Sequence, residues 1–321
     1  MTQPRLQQPA AAAPVARAAM RPWHVVALLG VMILWAGCYP LITLGRPFAP
    51  PLLFAALRAL VAGAVLALLA VLLRRKLPRD LRIWGALAGI GVAITTFGFL
   101  GMFNAEPSVP PGLATVIAGM QPLIAAVLAY FVLGERLGRW QRLGLGLGFL
   151  GIVVISVPHL DGAGRAGFAW GVAYIALAAL GVAAGNVLIT RLSGQVDMLV
   201  AMAAQTLFGA VPLGVMAMLR ERPAAIIWSP TFVASLLALA LFGTAAAYWL
   251  WFMLLERVPF SRANAFSFLV PFIGFALGAA YFNEPASIPA LSGLAMTAIG
   301  ILLIQHEAGR APDSTQRPAG E

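Results

Sequence analysis

The sequence predicts an all-α integral membrane fold of ten transmembrane helices, arranged as two inverted five-helix repeats. Three observations predict it: the composition, a series of apolar segments and an internal repeat. Of the 321 residues, 61% are hydrophobic and only 10% are charged, which is too little charge to solvate the surface of a soluble protein. Because a bilayer core of about 30 Å takes about 20 apolar residues per helix, ten helices would use most of the hydrophobic residues.

Ten apolar segments alternate with short polar connections. They lie near residues 23–44, 50–73, 82–104, 112–133, 139–157, 168–190, 197–219, 231–254, 263–282 and 287–305. We therefore expect a first five-helix repeat over residues 23–158 and a second over residues 166–306. A tail rich in Pro, Ala and Gln occupies residues 1–22, where we expect disorder in the cytoplasm, and a polar cytoplasmic tail occupies residues 307–321.

The chain matches itself when one half is slid along the other. An offset of 149 residues pairs Pro122 with Pro271 and Glu135 with Glu284, and an offset of 147 residues aligns the earlier helices of each half. Since five helices is an odd number, the second half must enter the membrane from the opposite side. Inverted repeats of this kind are found in many secondary transporters, whose substrate site lies between the halves near the midplane.

The basic residues indicate the orientation in the membrane. With a cytoplasmic N-terminus, 16 of the 21 Lys and Arg residues fall in cytoplasmic segments and four fall on the opposite side. Cytoplasmic loops carry such an excess of basic residues. We therefore expect a multi-pass protein of a bacterial-type inner membrane with both termini in the cytoplasm, and no nucleic-acid partner.

The sequence offers no constellation for catalysis or metal binding. A single cysteine, Cys38, excludes an internal disulfide and a cysteine-based metal cluster, and the three histidines, His24, His159 and His306, have no ligand spacing. We predict no enzyme activity, no metal and no cofactor. Neither a Walker-type loop nor an Asp, Glu or His in the middle of a predicted helix is present, so ATP is not the direct driver and proton coupling has no support.

Four stretches carry a resemblance to known proteins. They are Trp35–Gly37, Pro51–Arg58 and the matched blocks Ala114–Ile155 and Ala263–Ile304. In these stretches the chain resembles the drug/metabolite transporter superfamily, and within it the ten-span proteins with two EamA domains. The resemblance implies export or exchange of metabolites or drugs. The chain departs from the family at Cys38–Pro40, where Ser-Asn is usual.

Arg58 is the one charged residue well inside a predicted helix. Burying it in hydrocarbon would cost about 2.5 to 3.5 kcal/mol, so it should face a cavity or a partner. The offset of 147 pairs Arg58 with Gln205 and Tyr39 with Asn186. We hypothesise that Tyr39 with Arg58 closes the outer end of a central cavity and that Asn186 with Gln205 closes the inner end. Ordinary interhelical hydrogen bonding is the alternative.

Further candidates lie on the predicted first, fourth, eighth and ninth helices. Pro122 and Pro271 remove a backbone hydrogen bond in mid-helix and should kink the fourth and ninth helices. Polar and aromatic side chains form stripes that would either line a substrate cavity or simply pack helices together. They are Trp35, Gln121, Thr244, Tyr248, Trp251, Asn264 and Ser267.

These features together predict a secondary transporter that exports a small amino-acid-like metabolite or a drug by alternating access. Uptake or facilitated exchange, a channel and a non-transporting membrane protein stay open as alternatives. The expected partners are a small-molecule substrate and the lipid bilayer, and the sequence leaves a homodimer open.

Overall fold

The computed structural model describes residues 21–133, 138–159, 165–190, 192, 194–255, 257–258, 263 and 266–308. Within these residues every regular element is a helix and no strand occurs. The apolar helices are α1 (Pro22–Phe48), α2 (Pro51–Leu72), α3 (Leu81–Ala105), α4 (Pro111–Leu128), α5 (Arg139–His159), α6 (Ala166–Ile189), α7 (Met198–Arg220), α8 (Pro230–Trp251), α9 (Phe266–Tyr281) and α10 (Ile288–Ile304).

Eight of these helices are long and apolar enough to cross a membrane, while α9 and α10 are shorter apolar helices. Each predicted segment overlaps one of the ten. Large apolar side chains remain exposed on their outer faces, such as Val71 at 73% and Leu219 at 80%. Lipid solvates such a surface and water does not. The expectation of an all-helical membrane protein is therefore confirmed.

The two predicted kink prolines lie close to the start of a helical segment. Pro122 is the second residue of Gln121–Leu133, which follows a two-residue break within α4. Pro271 lies in the first turn of Leu269–Tyr281, after a single 3₁₀ turn. Proline is tolerated in a first turn because an N–H there would have no intrahelical partner. Both prolines thus coincide with a change of helix geometry.

Helices α3 and α8 each contain a π-helical stretch. It covers Val92–Phe97 in α3 and Ala238–Ala246 in α8. Adding the repeat offset of 149 to the first stretch gives residues 241–246, which lie inside the second. Departures from regular α-helix of this kind occur frequently at functional sites.

Two helix N-termini are capped by glutamates from distant connections. Glu284, before α10, accepts hydrogen bonds from the backbone N–H groups of Gly112 at 2.6 Å and Leu113 at 3.1 Å, at the start of α4. Glu221, after α7, does the same for the first amides of α2, at 3.0 and 2.8 Å. Burial raises the pKa of the Glu284 carboxyl above its ordinary value, although both of its hydrogen bonds act in the opposite direction. These caps connect helices of the first half to the second half.

Three helix pairs make the most extensive contacts: α5 with α10, α3 with α6, and α2 with α7. In the first pair the backbones almost touch. A Cβ added at Gly144 would lie 2.6 Å from the carbonyl oxygen of Gly300, and one at Gly151 would lie 2.7 Å from that of Gly293. Because the order of the partners reverses along the chain, α5 and α10 are antiparallel. Small residues permit such a close approach between membrane helices.

Gly144→Ala should destabilise the protein, whereas Gly146→Ala on the same helix should not. The methyl group at 144 meets a backbone oxygen that cannot move without separating α5 from α10, and overpacking of this kind costs about 1 to 3 kcal/mol. A Cβ at Gly146 has no atom within 4 Å. Thermal unfolding in detergent, followed by helical circular dichroism, should give a lower Tm for Gly144→Ala alone. Equal Tm values would contradict the close approach.

Candidate functional site

Arg58 is only 2% exposed although its side chain carries a charge. It lies on α2 among buried alanines, leucines and phenylalanine. Its Nε donates a hydrogen bond to Oγ1 of Thr244 at 3.1 Å, and its Nη2 donates to Sγ of Cys38 at 3.4 Å. Since Thr244 belongs to α8 and Cys38 to α1, the guanidinium joins three helices.

Two phenylalanine rings of α3 cover the same guanidinium. Cζ of Arg58 lies 4.3 Å from the ring centroid of Phe99 and 5.9 Å from that of Phe103. A desolvated cation–π contact contributes up to about 2 kcal/mol, which offsets part of the lost hydration. In the described part of the chain no carboxylate pairs with Arg58, since both ion pairs found there join other residues. Neutral groups alone therefore stabilise this charge.

Two polar atoms of this cluster have no partner. Nη1 of Arg58 and the hydroxyl of Tyr39 are buried, and neither forms a hydrogen bond within the described residues. The guanidinium also interacts electrostatically with the hydroxyls of Tyr39 and Tyr248. A buried polar atom left without a partner costs about 1 to 3 kcal/mol and is rare in folded proteins. A polar ligand would find free hydrogen-bond donors here.

A second buried cluster surrounds Gln205 on α7, which is fully buried. Its Oε1 accepts a hydrogen bond from Oγ1 of Thr95 at 2.9 Å, and its Nε2 donates to Oγ1 of Thr206 at 2.9 Å. Thr206 in turn donates to the carbonyl oxygen of Met202 at 2.7 Å. Unlike Arg58, the Gln205 amide has its hydrogen bonds supplied by the protein.

The two clusters occupy corresponding positions in the sequence. Arg58 corresponds to Gln205 at the offset of 147, and Thr95 corresponds to Thr244 at the offset of 149. Each cluster therefore joins a long polar side chain on the second helix of one half to a threonine on the third helix of the other half. Both threonines lie in the π-helical stretches. Sequence analysis missed Thr95, although the repeat offset was the signal that would have found it.

An aromatic pair lies on α1 and α8. The ring centroids of Trp35 and Trp251 are 5.2 Å apart. Tyr248 precedes Trp251 by three residues and therefore lies on the same face of α8, about one turn away. Both tryptophans belong to an apolar cluster that also includes residues at the start of α9. Aromatic side chains thus continue from the Arg58 cluster along α8 to the tryptophan pair.

Tyr39 directly follows Cys38, which contacts Arg58, whereas the structure does not join Asn186 to Gln205. Asn186 is exposed on α6. Among the described residues no hydrogen bond links its amide to that of Gln205, whose partners are threonines. The offset of 147 therefore identifies corresponding positions without identifying contacts.

The remaining predicted site residues lie on α4 and α9, which pack against each other. Gln121 is half-buried at the start of the second segment of α4, and Ser267 is half-buried in the 3₁₀ turn at the start of α9. Asn264 lies outside the described residues, as does Glu135, which the repeat pairs with Glu284.

A bundle of apolar helices with buried polar clusters defines a multi-pass membrane protein, and comparison with known proteins gives the family. The sequence profile of the EamA-like transporter family matches residues 22–157 and 169–305. The chain therefore belongs to the EamA-like transporter family, which confirms the resemblance found in its sequence.

Several relatives carry the name of a transporter or a pump. The chain is 30% identical to the uncharacterized transporter YvbV of Bacillus subtilis over 85% of this chain and 88% of that protein. It is also 30% identical to a probable amino-acid metabolite efflux pump of Escherichia coli, over 81% of this chain and 87% of that protein. One solved crystal structure aligns with a TM-score of 0.64 at 20% identity, covering 91% of this chain and 99% of that one. This last likeness supports the fold alone.

Thr244→Val should lower the free energy of unfolding by about 1.5 to 3 kcal/mol, because it removes the acceptor of a buried charged donor. Thr297→Val is the matched control. The Thr297 hydroxyl is buried without a hydrogen-bond partner among the described residues, so its removal should be neutral or stabilising. Unfolding of both variants in detergent tests this difference. Equal stability would contradict the contribution of the Arg58–Thr244 hydrogen bond.

Proposed function

We propose that this protein exports a small, amino-acid-like metabolite across a bacterial-type inner membrane, with both termini in the cytoplasm. The family supports membrane transport, and relatives named as probable amino-acid metabolite efflux pumps support the direction and the substrate class. The excess of Lys and Arg in the predicted cytoplasmic segments supports the orientation.

We infer that the ten helices form two inverted five-helix repeats. The helix packing supports this arrangement, because α2 packs against its counterpart α7 and α5 against its counterpart α10. The other contacts follow the same correspondence between the halves. Helix α3 packs on α6 and α7, and its counterpart α8 packs on their counterparts α1 and α2. Transporters built this way expose a midplane site to each side in turn as one half moves against the other.

The observation that carries the mechanism is the pair of corresponding hydrogen bonds, Arg58 to Thr244 and Gln205 to Thr95. Arg58 is the eighth residue of α2 and Gln205 is the eighth residue of α7. In oppositely oriented halves, equal depth from the helix start means opposite sides of the membrane. Arg58 then lies in the outer half of the membrane and Gln205 in the inner half, each bonded to a threonine nearer the middle of a helix. We assign the first bond to the outer closure and the second to the inner closure.

The two closures differ in strength, and the difference favours export. A hydrogen bond to a charged group contributes about 1.5 to 3 kcal/mol, and one between neutral groups about 0.5 to 1.5 kcal/mol. The outer closure at Arg58 is therefore harder to open than the inner closure at Gln205. Both closures are formed in this structure. The inner closure then opens more readily in the absence of substrate, and substrate supplies the energy that opens the outer end.

Replacing either closing side chain should impair export. Cells or proteoliposomes that carry Arg58→Ala or Gln205→Ala should release amino acids more slowly than wild type, because each variant leaves one end without its closing hydrogen bond. The exposed Arg222→Ala removes a positive charge away from both clusters and serves as the control. Wild-type release by both test variants would refute the gating role, and no release by the wild type would refute export.

Chemical labelling of Cys38, the single cysteine, measures how often the outer end opens. Cys38 is 3% exposed and contacts Arg58, so a membrane-impermeant maleimide added outside should label it only when the outer end opens. Thr244→Val should speed labelling about 10-fold to 100-fold, since it removes a hydrogen bond to a charged group. Thr95→Val weakens the inner end and should not speed it. Equal acceleration by both variants would contradict alternating access.

A further inference from the structure

We propose that the Arg58 guanidinium is the subsite that binds the carboxylate of the exported metabolite. This inference rests on the proposed function and adds the chemistry by which the path selects its substrate. Nη1 of Arg58 is the donor that this subsite offers, and Tyr39, whose buried hydroxyl also has no partner among the described residues, directly follows Cys38 in the chain.

The charge balance of the cluster supports an anionic ligand. The described residues give Arg58 one hydroxyl, one thiol and two aromatic rings, all neutral. A buried cation has lost its hydration energy, and without a counter-ion the protein compensates only part of that loss. An anion that enters the cluster therefore gains more from this side chain than it would from an Arg already paired with Asp or Glu.

The hydrogen-bond geometry supports a carboxylate in particular. A guanidinium presents two N–H donors in a planar fork that matches the two oxygens of a carboxylate. Nη1 has no partner, and Nη2 is held only by the Cys38 sulfur at 3.4 Å, which is a weak acceptor that a carboxylate oxygen would displace. The hydrogen bond from Nε of Arg58 to Thr244 would remain when the carboxylate first binds. It would hold the two Nη donors in position.

The single positive charge favours a ligand with one carboxylate group over a dianionic group. Arg58 is the one basic group of this cluster within the described residues, and its other neighbours are hydroxyl, thiol and phenyl groups. A phosphate dianion would bring a second negative charge into an apolar environment without a partner, which is costly. A single carboxylate balances the single guanidinium.

The remainder of such a ligand would extend along α8. Tyr248 interacts electrostatically with Arg58, and the Trp35–Trp251 pair lies about one turn farther along the same face. Aromatic faces accept an apolar side chain or an ammonium group. An apolar amino acid would fit this arrangement, with its carboxylate at Arg58 and its side chain at the tryptophans.

Ligand binding and opening would then use the same side chain. A carboxylate on Nη1 pulls the guanidinium away from Thr244, so that the ligand supplies the interaction that replaces the outer closure. The substrate itself would thereby weaken the stronger of the two closures, in the direction that export requires.

The test is a binding measurement on the purified full-length protein in detergent, which does not depend on transport. Each proteinogenic amino acid and its carboxamide are titrated while the Tm and the tryptophan fluorescence are recorded. At least one amino acid should raise the Tm of the wild type, and its carboxamide should bind about 10-fold to 100-fold more weakly, because a hydrogen bond to a charged group is lost. Arg58→Gln should reduce the affinity for the amino acid to that for the carboxamide.

Two further variants separate the subsite from general damage to the fold. Arg58→Lys keeps the charge but lacks the pair of planar donors, so it should retain part of the preference for the carboxylate. If Arg58→Gln does not fold, this partial preference supports carboxylate binding at Arg58. Arg46→Gln removes the same charge from an ion pair with Glu106 and should leave the preference unchanged.

The inference is overturned if no amino acid binds the wild type, if carboxamides bind equally well, or if Arg58→Gln and Arg58→Lys both retain the full preference. In the last two cases, export measured in the efflux assay described above would still support the proposed function. A wild type that binds amino acids at Arg58 but exports none would instead refute the proposed function and leave the subsite in place.

Discussion

Hydrocarbon offers no hydrogen bonds, and this constraint explains why the polar groups of the protein lie where they do. A donor or acceptor inside the bilayer carries a free-energy cost unless another part of the chain or a ligand satisfies it. The Gln205 amide meets this requirement through Thr95 and Thr206. The Arg58 guanidinium meets it only in part, since Nη1 has no partner among the described residues. The two corresponding positions therefore differ in one respect: the hydrogen bonds of Gln205 are made within the protein, whereas one donor of Arg58 has none within the described residues.

The same constraint governs the backbone. Glu221 and Glu284 supply the acceptors that the first amides of α2 and α4 lack, and they do so from the other half of the chain. The π-helical stretches of α3 and α8 place Thr95 and Thr244 against the long polar side chains of the second helices. Local departures from ideal helix are therefore concentrated where one half contacts the other.

Hydropathy predicted the helices well because apolar length is set by the thickness of the bilayer and requires no knowledge of packing. Arg58 was also identified from sequence, since a charge within an apolar segment is costly wherever that segment packs. The partners could not be predicted in the same way. Cys38 is an ordinary small residue in a helix sequence, and only the three-dimensional packing shows that it meets Arg58. Thr95 could have been named from its repeat counterpart Thr244, but its contact with Gln205 is seen only in the packing. Asn186 shows the converse, because a corresponding sequence position did not produce the corresponding contact.

The presence of an arginine in one cluster and a glutamine in the other also makes the two ends electrically different. A charge that moves across the full membrane potential changes its energy by about 2.3 kcal/mol per 100 mV. Any displacement of the Arg58 side chain along the membrane normal is therefore coupled to voltage, whereas the same displacement of Gln205 is not. In the proposed mechanism, where Arg58 closes the outer end, an interior-negative potential opposes any outward movement of its charge, so the rate of opening depends on the membrane potential even for an uncharged solute.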